Sequence, residues 1–261
     1  MKILVITQDA PLYLPWFLDR FVGRAAAQGH RVFLTRLSPA AGGSMWREAK
    51  RRWAFYGPRA FATASCRILL HRLASKLPAA LRGGRCFSLG RVIARHGVPE
   101  IPTRSVNDPA FVARVRAEGI DLVVSVAAPE IFRAEILAAP PRGCINYHTA
   151  LLPRHRGRQP LFWAMLAGDA ETGVTVHEMN AKLDDGPILC QKRVPISGTD
   201  TLHDLYLKTM SVGVDALLEA VGKIARGDRA RMPNPAEGAV VHGFPGRAEA
   251  AAFRRAGRRF F

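Results

Sequence analysis

Two polar side chains stand two residues apart at the end of an apolar run, and a third follows in a glycine-containing loop. Asn146 and His148 close the run that begins at Cys144, and Asp184 lies 36 residues after His148. Because alternate residues of a strand point to the same face, the amide and the imidazole would project together from one strand end. An imidazole that manages protons, an amide that donates to an oxyanion and a carboxylate that orients the ring suit acyl transfer to an amine.

Each of these residues also has an ordinary structural interpretation. A lone histidine is more often structural than catalytic, Asn146 would serve as a strand-end cap, and Asp184 and Asp185 suit a turn. His155, His177 and His203 have no comparable partners in the sequence, and we expect structural roles for them.

Alternating apolar runs and helical patterns predict the elements that position these residues. Short apolar runs, each predicted to be a strand, occupy Ile3–Thr7, Arg31–Arg36, Val98–Ile101, Ile120–Val126 and Cys144–Tyr147, and helical periodicity occupies Trp16–Gln28, Leu89–His96 and Pro109–Glu118. This order predicts an α/β fold of the Rossmann-like type, a mostly parallel sheet with helices on both faces. Ligands of such sheets bind beyond the carboxyl ends of the strands, where Asn146 and His148 stand.

The second half of the chain continues with helices, strands and a basic tail. We expect a helix at Gln159–Ala167, strands at Gly173–Met179 and Ile188–Ile196, and a long helix at Asp200–Arg226 with Asp200 as its N-cap. The Pro-, Gly- and Arg-rich segment 229–261 is expected to be a poorly packed extension with one short helix near 247–256. The domain prediction is therefore one domain over 1–228, followed by this extension.

Composition and charge restrict the class of protein. No apolar run approaches the ~20 residues that span a membrane, and the first residues are too short an apolar run for a signal peptide. The four cysteines show no CxxC spacing, so neither zinc nor a disulfide framework is indicated, and a reducing cytoplasm fits best. The net charge of +17 favours anionic partners. A homo-oligomer is compatible with the sequence.

The basic segment 41–90 is longer than one crossover helix requires. It contains two helical patterns, Met45–Phe55 and Arg59–Lys76, followed by a Gly83-Gly84 break, and it mixes basic residues with Trp46, Trp53 and other aromatics. We favour a pair of surface helices that cap the sheet. The alternative is an element that binds the acceptor or a membrane surface, because basic faces bordered by aromatics suit either role.

Several sequence blocks, in order, resemble a known family. The blocks are Gly143-Cys-Ile-Asn-Tyr-His148, Leu151-Leu152-Pro153, Arg154-His-Arg156-Gly157, Gly168-Asp-Ala-Glu-Thr-Gly-Val-Thr175 and Leu183-Asp184-x-Gly186. They look like the core of the 10-formyltetrahydrofolate-dependent formyltransferases. The resemblance is dense from about Asp121 to Thr201, loose over Met1 to Arg36 and absent after about Asp228.

The resemblance implies roles for individual residues. Asn146, His148 and Asp184 are implied to be catalytic, with 10-formyltetrahydrofolate as the co-substrate and no metal. The folate pocket is implied to involve Ser125, Val126, Ala127, Ala128, Ile131, Leu152, Pro153, Met179 and Leu183. We expect the acceptor to contact Gln8, Tyr13, Arg154 and Arg156.

The acceptor amine is left open by the sequence. The loop that begins at Gln8 lacks the Gly-rich phosphate cradle expected for glycinamide ribonucleotide. The carboxy-terminal β-domain of methionyl-tRNA formyltransferase and the amino-terminal regulatory domain of formyltetrahydrofolate hydrolase find no match either. By elimination we favour a small anionic acceptor, the amine of an amino-sugar nucleotide or similar metabolite. Charged initiator tRNA is the runner-up. A hydrolase, a glycosyltransferase-like module and a non-catalytic basic binding protein are further alternatives.

Overall fold

One mixed sheet forms the framework of the protein, which is represented by a computed structural model that describes residues 1–37 and 45–261. The strands are β1 (Lys2–Gln8), β2 (Arg31–Leu37), β3 (Leu122–Val126), β4 (Cys144–His148), β5 (Arg156–Gly157), β6 (Glu171–Glu178), β7 (Ile188–Pro195) and β8 (Val241–His242). The helices are α1 (Leu14–Ala27), α2 (Met45–Lys76), α3 (Leu89–His96), α4 (Pro109–Ala117), α5 (Ala134–Leu137), α6 (Pro160–Ala167), α7 (Leu202–Ala225) and α8 (Arg247–Arg255).

The sheet has six strands in the order β2-β1-β3-β4-β6-β7, and β5 and β8 form a separate two-stranded ladder. The first four strands of this order are parallel, whereas β6 is antiparallel to both β4 and β7. The predicted α/β fold with a mostly parallel sheet is therefore confirmed. The carboxyl ends of β1, β3 and β4 meet at one edge, as in other open sheets that bind ligands there.

Alternation along the strands divides the core between the two faces of the sheet. In β1, Ile3 and Val5 belong to a buried cluster that includes residues of α1, α3 and α7. Leu4 and Ile6 belong to a second cluster, which includes residues of α4 and α5. Because successive strand residues point to opposite faces, this run requires helices on both sides. The expected double layer of helices is thus present.

Two local predictions differ from the structure. The predicted strand Val98–Ile101 is reduced to a single bridge from Glu100 to Leu34, at the edge of the sheet beside β2. The N-cap of α7 is Thr201 rather than Asp200, because the Thr201 hydroxyl and the Asp204 carboxylate form a reciprocal capping box. Asp200 instead accepts hydrogen bonds from the Ser197 amide and the Lys208 ammonium group.

The expectation of a poorly packed tail is wrong, although its predicted short helix is present as α8. Ala250, Phe253 and Phe260 are buried in a third apolar cluster together with Phe55 of α2 and Phe162 of α6. The Arg-rich composition of the tail does not indicate this core, because the apolar residues that form it are few and separated in the sequence. The tail thus packs against α2 and α6.

The basic segment forms two helical parts, as predicted. Within α2, Gly57 has a φ of 72°, a conformation that favours glycine, and Pro58 follows it. The helix direction therefore changes at this point. The part of the segment at 41–44 lies outside the described residues. Among the described residues, no helix is both long and apolar enough to cross a membrane.

Candidate functional site

The predicted site begins at the end of β4, next to the antiparallel strand β6. Asn146 and His148 lie opposite His177 and Thr175, respectively, in the β4–β6 register. On the other side of β4, Ser125 of β3 is the partner of Asn146. His148 is 6% exposed, and Asn146 is half-buried. The strand pairing on both sides therefore fixes the amide and the imidazole before any loop contributes.

The loop between β6 and β7 brings Asp184 to these two side chains. Its Oδ1 accepts a hydrogen bond from Asn146 Nδ2 at 3.1 Å, and its Oδ2 lies 3.6 Å from His148 Nδ1. The backbone N–H of Gly157 donates to the same Oδ2 at 2.7 Å. Asp184 is 8% exposed and has a φ of 49°, which asparagine and aspartate tolerate better than most residues. The three predicted residues therefore form one buried cluster.

Residues from the tail hold the Asp184 loop. Asn234 Nδ2 donates to the carbonyl oxygens of Asp184 at 3.0 Å and Gly186 at 2.9 Å. Gly186 has no room for a side chain, because a Cβ there would lie 1.9 Å from the Glu178 carbonyl oxygen. Arg156 forms an ion pair with Asp185, and its Nη2 also donates to Asn234 Oδ1 at 2.9 Å. The Asp184 carboxylate is thus positioned by Arg156 of β5 and Asn234 of the tail, which together hold the loop.

The hydrogen bonds of His148 determine which ring nitrogen is available. Nε2 lies 2.9 Å from the carbonyl oxygen of His155, which can only accept, so Nε2 carries the proton. In the neutral ring, the lone pair is therefore on Nδ1, the nitrogen that faces Asp184. Burial lowers the pKa of His148, although the Asp184 carboxylate and the hydrogen bond to His155 oppose the decrease. His148 is consequently neutral at physiological pH.

Asp184 stays ionised despite its burial. Burial alone would raise its pKa, but the nearby His148 and His177 rings and the hydrogen bond from the Gly157 N–H together hold the pKa well below its usual range. Buried carboxylates that accept several hydrogen bonds commonly behave in this way. The site thus combines a fixed negative charge with a neutral imidazole.

His177 belongs to the cluster, although its sequence pattern indicates no partner for it. Its Nδ1 lies 2.8 Å from the Glu178 carbonyl oxygen and therefore carries a proton. Its Nε2 lies 3.2 Å from Asn146 Nδ2 and 3.4 Å from Asp184 Oδ1. The expectation that His177 has no comparable partners is wrong, because the partner of a residue on an antiparallel neighbour depends on strand order and register. An alternating apolar pattern around His177 was the only available signal.

Both N–H groups of the Asn146 amide have protein partners in this state. One donates to Asp184, and the second points to the lone pair on His177 Nε2 when that ring is neutral. Donation from Asn146 to a substrate oxygen therefore requires that one of these hydrogen bonds be shared or exchanged. The longer contact, with His177, is the more readily exchanged.

His155 keeps its predicted structural role, but that role supports His148. Its Nε2 lies 2.8 Å from Asp169 Oδ2, and its ring stacks on His242 at a centroid distance of 5.3 Å. Its φ of 54° directs the carbonyl oxygen to His148 Nε2. His203, by contrast, lies 2.8 Å from the Tyr13 hydroxyl and accepts a hydrogen bond from Arg67.

The residues predicted for the folate pocket lie on segments that flank Asn146. Ser125, Val126 and Leu152 have buried side chains, Ala127 has a φ of 55° directly after β3, and Pro153 is half-buried. Ala128 and Met179 pack at the margin of the apolar cluster that includes Cys144. Ile131 and Leu183 are 70% and 47% exposed. Exposed apolar side chains thus occur both in the segment that follows β3 and in the loop between β6 and β7. The buried residues of the predicted pocket would contribute mainly their backbone groups.

The residues expected to contact the acceptor differ in their exposure and in the contacts that they make within the protein. Gln8 is half-buried at the end of β1. Tyr13 stacks on Tyr206 at 4.8 Å in addition to its contact with His203. Arg154 is exposed and forms an ion pair with Asp169. The buried guanidinium of Arg156 is committed to Asp185 and Asn234, which argues for a structural role in place of acceptor binding.

The residues described by the structure also bear on metal binding. Within 1–37 and 45–261, no group of three or more His, Cys, Asp or Glu side chains is arranged to hold a metal ion.

Several curated proteins with similar sequences are methionyl-tRNA formyltransferases. The methionyl-tRNA formyltransferase of Methylobacterium sp. is 42% identical over 146 residues, which cover 56% of this chain and 47% of that protein. The enzyme of the same name from Symbiobacterium thermophilum is 38% identical over 193 residues, covering 70% of this chain and 59% of the relative. The chain therefore spans about half the length of the curated relatives it matches.

Solved structures with a similar fold cover most of the chain. A sugar N-formyltransferase from Shewanella sp. has a TM-score of 0.59 at 23% identity, over 93% of this chain and 76% of that one. Glycinamide ribonucleotide transformylase 1 from Symbiobacterium toebii has a TM-score of 0.59 at 22% identity, over 87% of this chain and 88% of that one. At these identities the likeness supports the fold. The sequence profile of the family described as formyl transferase matches residues 88–221, which is 134 of 261 residues and includes Asn146, His148 and Asp184. The chain belongs to the formyl transferase family.

Proposed function

We propose that the protein is an N-formyltransferase that moves a formyl group from 10-formyltetrahydrofolate to a primary amine. The observation that carries the proposal is the buried cluster at the end of β4, in which Asp184 lies within 3.6 Å of both Asn146 and His148 side-chain atoms. A neutral imidazole beside a fixed carboxylate suits proton removal from an amine, and an adjacent amide suits oxyanion stabilisation.

The residues at this edge fit a reduced folate. Flat heterocycles bind in apolar clefts where a few polar groups fix their orientation. Exposed Ile131 and Leu183, with half-buried Met179 and Ala128, supply apolar surface near Asn146. The backbone of Ala127, immediately after β3, supplies polar groups. When bound, 10-formyltetrahydrofolate would supply an electrophilic formyl carbon on N10.

We assign each side chain a task that this geometry supports. His148 Nδ1 carries the lone pair and would accept the proton of the attacking amine, directly or through a water molecule. Once on Nδ1, that proton faces Asp184 Oδ2, whose negative charge stabilises the imidazolium. Asn146 would donate an N–H to the oxyanion by giving up its contact with His177. When the amine nitrogen has bonded to the formyl carbon, the bond from that carbon to N10 would break, and the proton held on His148 Nδ1 would pass to N10 of the departing tetrahydrofolate. Asp184 thus acts on the ring as an electrostatic partner and needs no proton of its own.

For the acceptor, we propose the amine of a small anionic metabolite, with an amino-sugar nucleotide as the first candidate. The outward face of α2 supports a small acceptor, because it carries Leu69, Leu70 and Leu73, apolar side chains that an RNA backbone does not bind. Charged initiator tRNA is the second candidate, and the identity with methionyl-tRNA formyltransferases favours it.

Release of tetrahydrofolate from 10-formyltetrahydrofolate tests both levels of the proposal. We expect release to depend on an added amine and to accelerate with an amino-sugar nucleotide. If charged initiator tRNA alone accelerates the release of tetrahydrofolate, the result would favour the second candidate, charged initiator tRNA, as the acceptor. Release at the same rate without any amine would indicate a hydrolase, and no release with any amine would contradict formyl transfer.

The protonation state of His148 provides a separate prediction. Because burial lowers the folded-state pKa of His148, we expect its ring to titrate below the ordinary value of 6.5. The neutral ring then contributes stability that is fully present above pH 6.5 and is lost as the pH falls through the folded-state pKa. The Asp184 carboxylate raises the pKa of His148, so Asp184→Asn should move the titration to still lower pH. Histidine chemical shifts followed by NMR measure both effects.

Two controls accompany this titration. His148→Gln identifies the resonance, and Asp200→Asn removes a carboxylate that is bound to Lys208 and Ser197 instead of the site. Asp200→Asn should leave the titration of His148 unchanged. A ring that titrates above 6.5, or a rise in its pKa in Asp184→Asn, would contradict the assigned electrostatics.

A further inference from the structure

The second part of α2, residues 58–76, presents apolar side chains outward. Its inner face packs on the protein through buried Ala64, and Arg67 and His71 contact His203 and the Pro11 carbonyl oxygen. On the opposite face, Leu69, Leu70 and Leu73 are 57%, 56% and 53% exposed, and Leu77 just beyond the helix is 43% exposed. These four residues, here named the leucine face, lie where a surface helix normally carries polar residues.

The charge of the chain segment that carries the leucine face has one sign. Between Glu48 and Glu100 the sequence contains eleven Lys or Arg residues and no Asp or Glu. Arg72 and Lys76 are exposed in the same stretch of helix as the leucines, and Arg85 is exposed in the turn that follows. Leu81, 71% exposed, extends the apolar surface beyond Leu77. An apolar patch on a segment whose charges are all positive favours a partner that is both apolar and anionic.

We propose that the leucine face docks on the surface of an anionic lipid bilayer, with this part of α2 lying in the interface. An amphipathic helix with leucines on one face and Lys or Arg at its border binds such surfaces through apolar burial and attraction to anionic lipids. RNA would satisfy the cations but leave the leucines without a partner. A second copy of the chain would bring two strongly basic surfaces together.

The orientation of the helix relates this surface to the site. His71 contacts the carbonyl oxygen of Pro11, in the turn that follows β1. The carboxyl ends of β1 and β4 share one edge of the sheet, because both strands are parallel to β3. The second part of α2 therefore packs near the edge of the sheet at which Asn146 and His148 lie. The inference does not depend on which reaction the site performs.

Flotation of the full chain with lipid vesicles tests the proposal. We expect co-flotation with vesicles that contain phosphatidylglycerol, little with pure phosphatidylcholine, and weaker binding as salt is raised. Leu69→Ser/Leu73→Ser/Leu77→Ser should lower partition by about 100-fold, because three half-exposed leucines lose their apolar burial. Arg72→Glu/Lys76→Glu should lower partition by about tenfold or more.

Matched variants separate the surface from general effects. Leu207→Ser removes a leucine of similar exposure, 48%, from α7, and Arg116→Glu/Arg229→Glu changes the net charge by the same amount on other surfaces. Both should float like the unmodified chain, and circular dichroism should show that every variant is folded. Undiminished flotation of the leucine variant would overturn the proposal. The proposal would also be overturned if vesicles did not bind the unmodified chain while tRNA bound both this chain and the leucine variant. It would likewise be overturned if the unmodified chain sedimented as a dimer and the leucine variant as a monomer.

Discussion

Asn146→Ala is expected to lower the turnover of formyl transfer by roughly 100–1000-fold, since one oxyanion donor commonly contributes ~3 kcal/mol to the transition state. The substitution also removes the donor to Asp184 Oδ1 and leaves His177 Nε2 without its amide partner. The effect should therefore appear mainly in kcat, because the oxyanion exists only in the transition state. Steady-state release of tetrahydrofolate at saturating amine measures this change.

Asn180→Ala is a suitable control for this experiment. Asn180 lies exposed in the same β6–β7 loop, and its side chain accepts only from the Lys182 backbone N–H. Turnover should therefore be close to that of the unmodified protein. Wild-type turnover in both Asn146→Ala and His148→Ala would remove the catalytic assignment, whereas an unchanged kcat with a raised KM would reduce Asn146 to a binding residue.

The site was predictable from the sequence to the extent that local patterns specify it. Asn146 and His148 follow from a short apolar run and a two-residue spacing, because residues two apart on a strand point to the same face of the sheet. Asp184 required the resemblance to a family, because spacing alone does not bring a loop back to a strand end. The structure brings its carboxylate within 3.6 Å of His148 Nδ1, and the loop is held from outside by Asn234.

His177 and Asn234 could not be predicted for a common physical reason. His177 reaches Asn146 because β6 runs antiparallel to β4 in one particular register. The periodicity of a sequence does not show which residues of two separated strands lie opposite each other. Asn234 reaches the loop from a tail whose composition suggested little packing. In both cases the contact depends on the tertiary arrangement. The sheet itself was easier to predict, because its parallel strands are local apolar runs, and a glycine that ends a helix precedes β2 and β3.

The packed tail leads to a prediction about stability. Phe253 is fully buried, and its ring stacks on Phe162 at 4.7 Å and contacts Phe260 at 4.9 Å. Because its removal would leave a cavity among α6, α8 and the end of the chain, Phe253→Ala should lower the free energy of unfolding by about 3–5 kcal/mol. Urea unfolding, with Leu207→Ala as the control, measures the difference. The exposed Leu207 should contribute less than about 0.5 kcal/mol.

The same variant distinguishes a docked tail from a detached one. If α8 were only loosely associated, Phe253→Ala would leave the unfolding midpoint unchanged and would contradict the packing of the third apolar cluster. Because Asn234 belongs to this tail and donates to the backbone of the Asp184 loop, loss of tail packing should also loosen the carboxylate. We therefore expect formyl transfer by Phe253→Ala to fail at a lower temperature than in the unmodified chain. Leu207→Ala should retain its activity over the full range.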